Sequence, residues 1–253
     1  MVNRTTRRSR FLAVIAVLAL GVMPAIAGAA VLLNETFSYP DGNLVGNDGW
    51  TAHSGAGAKM IQVTSGQAVL AQSTGSGEDV NAPFAAQGAA DKTYVSFDVT
   101  IPAGSVVGAG DYFAHPRNSA TFIYPARIFN GPPLAGGDFT FGIRASSSST
   151  IMYWPSDFSF DSTHKLVVAY DAATGDAQLW IDPAVEASPS VIGTGGAVGD
   201  LIDSFALRQA SPSGTTSRQL IDNLLVGDTF SDVVPGATAV QAATWGRVKN
   251  AYK

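Results

Sequence analysis

The sequence predicts an all-β fold of antiparallel strands packed as two sheets, and three observations carry that prediction. The stretch from His164 to Pro183 reads as a hairpin, with Leu166, Val168 and Tyr170 on one face at period two and Lys165, Val167 and Ala169 on the other. Beyond the turn, Leu179 and Ile181 alternate with Gln178, Trp180 and Asp182. Asp171 precedes the turn to cap its backbone N–H groups, Gly175 supplies a positive φ, and Pro183 ends the second strand because it cannot donate to a ladder. Similar short apolar runs, roughly ten to twelve of them, recur between turn residues without helical stretches in between. Composition agrees: 27 glycines, 14% charged residues and only three glutamates (Glu35, Glu78, Glu186) leave little from which to build amphipathic helices. Such a pattern means a sandwich or barrel, not a parallel α/β sheet.

Residues 1–30 read as a secretory signal peptide. Arg4, Arg7, Arg8 and Arg10 form a basic start, Phe11 to Val22 is a short apolar run, and Pro24 to Ala30 offers small residues for cleavage. The alternative is an uncleaved N-terminal anchor. Without this segment 11 basic and 20 acidic residues remain, a net charge of −9 against −5 for the whole chain. An acidic exported chain has no electrostatic footprint for nucleic acid or an anionic membrane. Cysteine is absent, so packing alone must hold the core, and thiol or zinc-finger chemistry is excluded.

The remaining chain reads in order as follows. Leu32–Phe37 is a first strand, and Ser38–Trp50 is a loop with a Pro40-Asp41-Gly42 turn, pinned at Leu44 and Trp50. Lys59–Val63 and Gln67–Ala71 flank the turn Thr64-Ser65-Gly66, a second hairpin. After a flexible stretch at 73–77, Thr93–Ile101 alternates cleanly and stops at Pro102. Asp111–His115 and Ala126–Asn130 are shorter strands separated by Pro116 and Pro125. Phe139–Arg144 and Ile151–Trp154 pair across a serine-rich turn, and Ser204–Gln209 and Gln219–Phe230 complete the set after an irregular segment, 186–200.

These residues resemble a family. Glu35-Thr36-Phe37, the Tyr39-to-Trp50 loop and the closing Ile221-to-Phe230 run look like the laminin-G-like, concanavalin A-like jelly rolls of secreted bacterial proteins. Tyr112–His115, Ala126–Phe129, Phe141–Arg144, Leu166–Asp171, Leu179–Pro183 and Ala206–Gln209 follow in the order seen there. The resemblance covers about 32–234 and implies a jelly-roll sandwich over 31–234 whose first and last strands pair side by side. A linker and a basic tail, 235–253, follow; Trp245, Val248 and Tyr252 lie at helical spacing there, which fits a frayed end or a docking tail.

Jelly rolls of this kind serve as glycan binders, glycosidases, lyases and plain structural modules, so chemistry must be read from the residues. A retaining glycosidase needs two carboxylates ~5 Å apart, supplied in such folds by E-x-D-x-x-E or E-x-D-x-E strands. None of the three glutamates has that setting, and Glu78 and Asp79 are adjacent. The Q-x-H and R-x-E-x-R strands of jelly-roll polysaccharide lyases are missing too; His53, His115 and His164 stand in unrelated contexts, and His164 reads as a strand cap. No G-x-S-x-G elbow occurs.

Two sites are expected instead. Asp41, Asn43, Asn47 and Asp48 crowd one loop, either as a calcium site of the kind that family holds or as an Asx-turn loop satisfying its own backbone. Tyr153 and Trp154 before Pro155 offer flat rings for a sugar, with Arg144 nearby, or else they pack. Arg127, Arg144 and Arg208 recur on strands; they are either ion partners of the aspartates or the lining of a concave polar face. By analogy with the family, the expected function is a non-catalytic recognition or adhesion module at the cell surface, binding an extracellular glycan or cell-surface polymer. A structural envelope or matrix protein is the rival, and a glycan-cleaving hydrolase or lyase a weaker one.

Overall fold

Alternation decides which residues enter the core, and in the strand Lys92–Thr100 it turns Val95, Phe97 and Val99 inward, where they are fully buried. A computed structural model describes residues 31–75, 77–211 and 216–236. The expected signal peptide, 1–30, and the tail from 237 onward lie outside the described residues.

The chain forms an antiparallel two-sheet jelly-roll sandwich. The first sheet runs in the order Val191–Gly193, Asp176–Ile181, Thr163–Asp171, Lys92–Thr100, Arg218–Gly227, Gln67–Ala71, Gln62–Thr64, Gly42–Asn43, and Val31–Glu35 also pairs with Arg218–Gly227. The second runs Met152–Tyr153, Thr140–Arg144, Arg127–Gly131, Asp111–Arg117, Ile202–Leu207, Asp79–Gln87, Thr51–Ser54. First and last strands lie side by side, as the family resemblance implies.

The central hairpin has the predicted register, with Leu166 opposite Ile181, Val168 opposite Leu179 and Tyr170 opposite Ala177. Gly175 takes φ 75° and donates to the Asp171 carbonyl at 2.8 Å. The Asp171 carboxylate accepts from the N–H groups of Ala173 (3.0 Å) and Thr174 (3.3 Å), which is the cap its position predicts.

Sheet is joined to sheet by aromatic contacts. Phe97 of the first sheet meets Phe113 edge-on at 6.2 Å and Phe205 at 5.8 Å, both from the second. Trp50 is buried as expected, and its indole N–H donates to Glu35 at 2.8 Å; that buried carboxylate also accepts from the Tyr39 hydroxyl at 2.7 Å. Glu35 thus fastens the 36–50 loop to the first strand. At one end of the sandwich Asn130, Ser217, Gln72 and Gln219 form a buried chain of hydrogen bonds at 2.7–3.0 Å, and Gln72 reaches the Tyr112 carbonyl at 3.1 Å.

Several expectations need correction. Asp79–Gln87 is a nine-residue strand where no strand is expected, and Thr51–Ser54 pairs beside it. Pro83 hides it from view, yet Thr51–Ser54 pairs only with residues 79–81, so Pro83 faces a neighbour on one side alone, and its missing N–H breaks no ladder. Pro116 does not end its strand for the same reason: it lies opposite Phe205, while pairing to 127–131 stops at Ala114. His164 does not act as a strand cap; its Nδ1 bonds the Asp182 carboxylate at 2.8 Å, and Asp182 itself caps the N–H of Lys165 at 2.7 Å. Finally, the last strand ends at Gly227, not Phe230, and a helical turn, Phe230–Val233, follows.

That turn explains why Val167, Ala169 and Trp180 are buried although they point away from the main core. Phe230 packs on Trp180 at 5.5 Å and on Tyr94 at 6.1 Å, and the Val233 carbonyl accepts from Ser96 at 2.6 Å. The outer side of the first sheet is therefore partly sealed. Replacing Phe97 by Ala removes the bridge between the sheets and should cost about 3–5 kcal/mol; a lowered denaturant midpoint at unchanged m-value checks it.

Candidate functional site

The outer face of the second sheet is the candidate site, and its residues are placed by what their neighbours bury. Ile128, Phe141, Ile143, Phe205 and Leu207 turn inward to the core. Residues next to them in the strands therefore turn outward: Arg127, Phe129, Arg144 and, by register with Phe129, Tyr112. His115 and Arg117 lie opposite Ala206 and Ser204 on that same face.

Rings and guanidinium groups interleave there. Tyr112 contacts Phe129 at 5.8 Å and His115 at 5.7 Å, and Tyr124 lies 4.7 Å from His115 and 6.4 Å from His53. The Arg208 guanidinium stacks 4.0 Å from the Tyr112 ring, which Arg127 also faces at 4.8 Å. Arg144 sits over Phe129 at 5.4 Å, and Arg117 over Phe122 at 5.5 Å. Most of these side chains are half-buried, and His115 and Arg117 are buried, so the face is recessed.

Phe122 is the exception, 63% exposed at φ 56°. Its loop closes on itself: the Asn118 side chain accepts from Ala120 (3.0 Å) and Thr121 (3.1 Å), and Phe122 N–H donates to the Asn118 carbonyl (3.1 Å). A tight Asx turn thus holds a large ring out in solvent. Below it, Phe122, Tyr124, Arg127, Ser146 and Asp200 line a crevice of about 240 Å³.

Burial sets the charge states. His115 is pushed down to about 3, mainly by burial and then by the charges of His53, Arg127 and Arg208. His53 is pushed down to about 4 by burial and the Arg117 charge. Both imidazoles are neutral at pH 7. Burial first, and then Arg144 and Arg208, lower the Arg127 guanidinium from its ordinary value. Burial raises the Asp200 carboxyl.

Of the expected ligand residues, Arg144 and Tyr153 are brought to this face. The Tyr153 ring lies flat against backbone at Gly131 and Gly142, where an added Cβ would stand 2.2 Å and 2.8 Å from it. Trp154 is half-buried at the sheet's end, its N–H bonded to the Phe141 carbonyl at 2.8 Å. Arg208 pairs with Asp111 at 2.6 Å and also stacks on Tyr112, so the ion-partner and polar-face readings are both realised in one residue. Phe122, Tyr112 and Tyr124 are additional, and no sequence pattern marks the exposure of the first.

The expected calcium residues spend their polar atoms separately. Asp41 accepts from Ser65 N–H at 2.8 Å, Asn43 from Gln62 at 2.9 Å, and Asn47 donates to the carbonyls of Asn43 (2.8 Å) and Leu44 (3.1 Å). Asp48 sits at φ 35° in the same loop. Among the described residues no helix is long and apolar enough to cross a membrane.

No protein-family model and no curated protein matches the chain. Solved structures match in fold. A chain described as "Sialidase" has a TM-score of 0.58 at 14% identity, covering 81% of this chain and 19% of its own length. A chain described as "HCR/D-Sa-GBL1/C" has a TM-score of 0.51 at 8% identity, covering 81% of this chain and 50% of its own. The CBM2 module of the evolved Dit of Lactobacillus casei BL23 phage J-1 has a TM-score of 0.51 at 11% identity, covering 79% of this chain and 97% of its own. This chain spans about a fifth of the first and half of the second. At these identities the likeness shows the fold alone.

The neutral histidines make stability depend on pH. Their folded values lie below the unfolded value of ~6.5, so the unfolded chain binds more protons as pH falls. Stability is therefore complete above about 6.5 and is lost progressively toward about 4 for His53 and about 3 for His115. Melting curves from pH 7 to 4 should show this loss, and His53→Gln should flatten it.

Proposed function

We propose that the chain is an exported glycan-binding module that takes its ligand on the outer face of the second sheet. The observation that carries this reading is one recessed face where aromatic rings alternate with guanidinium groups under an exposed Phe122. Flat rings receive the apolar faces of a sugar, and rigid N–H forks receive its oxygens. The basic signal-like start of the sequence supports export. Fold neighbours named as a sialidase and a CBM2 module add support from proteins of the same architecture.

The geometry also fits what a binding module requires. Tyr112, Tyr124 and Phe129 are fixed by contacts with one another and with His115, so little conformational freedom is lost when a ligand arrives. The glycine pair under Tyr153 keeps that ring flat on the sheet and extends the surface toward Trp154.

Glycan-array screening of the secreted chain tests the reading. Binding is expected, and Phe122→Ala should weaken it by about tenfold or more while leaving the melting temperature within a degree or two, because an exposed ring contributes little to folding. Silence on every glycan, together with ordered self-assembly, would instead support a structural envelope protein. Gly142→Ala should displace Tyr153, and weakened glycan binding in a folded variant would place that ring in the site.

A further inference from the structure

The charge on the outer face of the second sheet is out of keeping with the rest of the molecule. The chain carries 20 acidic residues against 15 basic ones, and on the first sheet Lys165 pairs with Asp98 at 2.7 Å and Lys92 with Asp171 at 4.0 Å. On the outer face only Arg208 is matched, by Asp111. Arg117, Arg127 and Arg144 make no ion pair among the described residues.

Their arrangement is costly. Arg127 stands directly opposite Arg144 across an antiparallel pair, where like charges destabilise a sheet. Arg117 and Arg144 each bury an Nε that has no hydrogen-bond partner. Asp200 lines the same crevice as Arg127 but stands beyond ion-pair distance, with one buried oxygen unbonded. The cations are held by stacking, Arg117 on Phe122, Arg127 on Tyr112 and Tyr124, Arg144 on Phe129, and the Arg127 Nε also donates to the Tyr124 carbonyl at 3.1 Å. Stacking orients a guanidinium without neutralising it; with Nε buried in Arg144 and bonded in Arg127, the Nη1/Nη2 edge is the one left for a planar oxyanion. Partial burial strengthens that attraction relative to an exposed lysine.

We infer that the ligand is an acidic glycan whose carboxylates or sulfates are received by the half-buried Arg127 and Arg144, with the buried Arg117 adding its charge from beneath Phe122 and Asp200 placed to accept from a sugar hydroxyl. This rests on the glycan-binding reading above and names the class of sugar. The aromatic rings supply the stacking surface, and the ligand supplies the negative charge that the fold withholds. A guanidinium fork binds a carboxylate through two parallel N–H···O bonds, which favours uronate residues over isolated sulfates.

The test uses the whole secreted chain on an array of oligogalacturonate, oligomannuronate, chondroitin sulfate and neutral galactan, xylan and cellulose oligosaccharides, with the methyl ester of each uronate alongside. The acidic probes should bind at least tenfold more tightly than the neutral ones, and esterification should abolish the advantage. Affinity for the free acid should fall steadily with added salt, a measurement on the unaltered chain that needs no variant. Arg144→Gln and Arg127→Gln should each lose about tenfold or more toward the free acid and much less toward the ester, to which the guanidinium offers only uncharged contacts, with melting curves confirming the fold. Preference for chondroitin sulfate over both uronates would keep the anionic site and assign it to sulfate. Equal binding of acid and ester, or binding to neutral glycans alone, overturns the acidic ligand and leaves the glycan-binding reading standing. Binding to none of the array overturns both.

Discussion

The rest of the structure depends on the contact of Phe97 with Phe113 and Phe205, where the two sheets meet. No cysteine is present to staple them, so packing must fix their separation and relative position. Once those rings are seated, period-two alternation dictates the rest. Ile128, Phe141 and Ile143 go inward, and Arg127, Phe129 and Arg144 are carried outward with no further choice. The arginine-bearing surface is the back of the core.

That surface runs against the interests of the fold. Two neutral histidines, a pair of arginines set against each other and several unbonded polar atoms share a few strands. Elsewhere Glu35 collects donors from Tyr39 and Trp50, and Gln72, Ser217 and Gln219 bond one another, although Glu78, Thr93, Asn130 and Gln219 each leave one buried atom unbonded. What sets this face apart is the opposed pair Arg127 and Arg144 with no carboxylate partner, a departure from good folding practice that a group from outside the chain can compensate. The opposite sheet shows the contrast, since its outward apolar residues are covered by the turn Phe230–Val233.

Much of this was legible in the sequence, for physical reasons that differ by element. The central hairpin, the strand Lys92–Thr100 and the pairing of first and last strands follow from alternation and from the family resemblance. Asp79–Gln87 escaped because proline reads as a strand breaker unless one knows that its side of the ladder is unpaired. The helical turn at Phe230 escaped because four residues carry no periodicity. At the site, Arg127, Arg144 and Arg208 could be named but not assembled, and Arg117 escaped because Pro116 reads as the end of its strand. Three strands show each as an outward residue, and only the register shows that Arg127 faces Arg144 and that Arg208 shares a ring with Arg127. Phe122 lay in a loop, where exposure has no sequence pattern.

One feature of the topology bears on how such a module would work when attached to something else. The strand Val31–Glu35 belongs to the first sheet, and the turn Phe230–Val233 packs on that sheet's outer side. Both ends of the described residues therefore lie with the first sheet, on the opposite layer from the arginines. A label or fusion partner joined directly at Val31 or Gly236 would start from the layer opposite the arginines and leave that face uncovered.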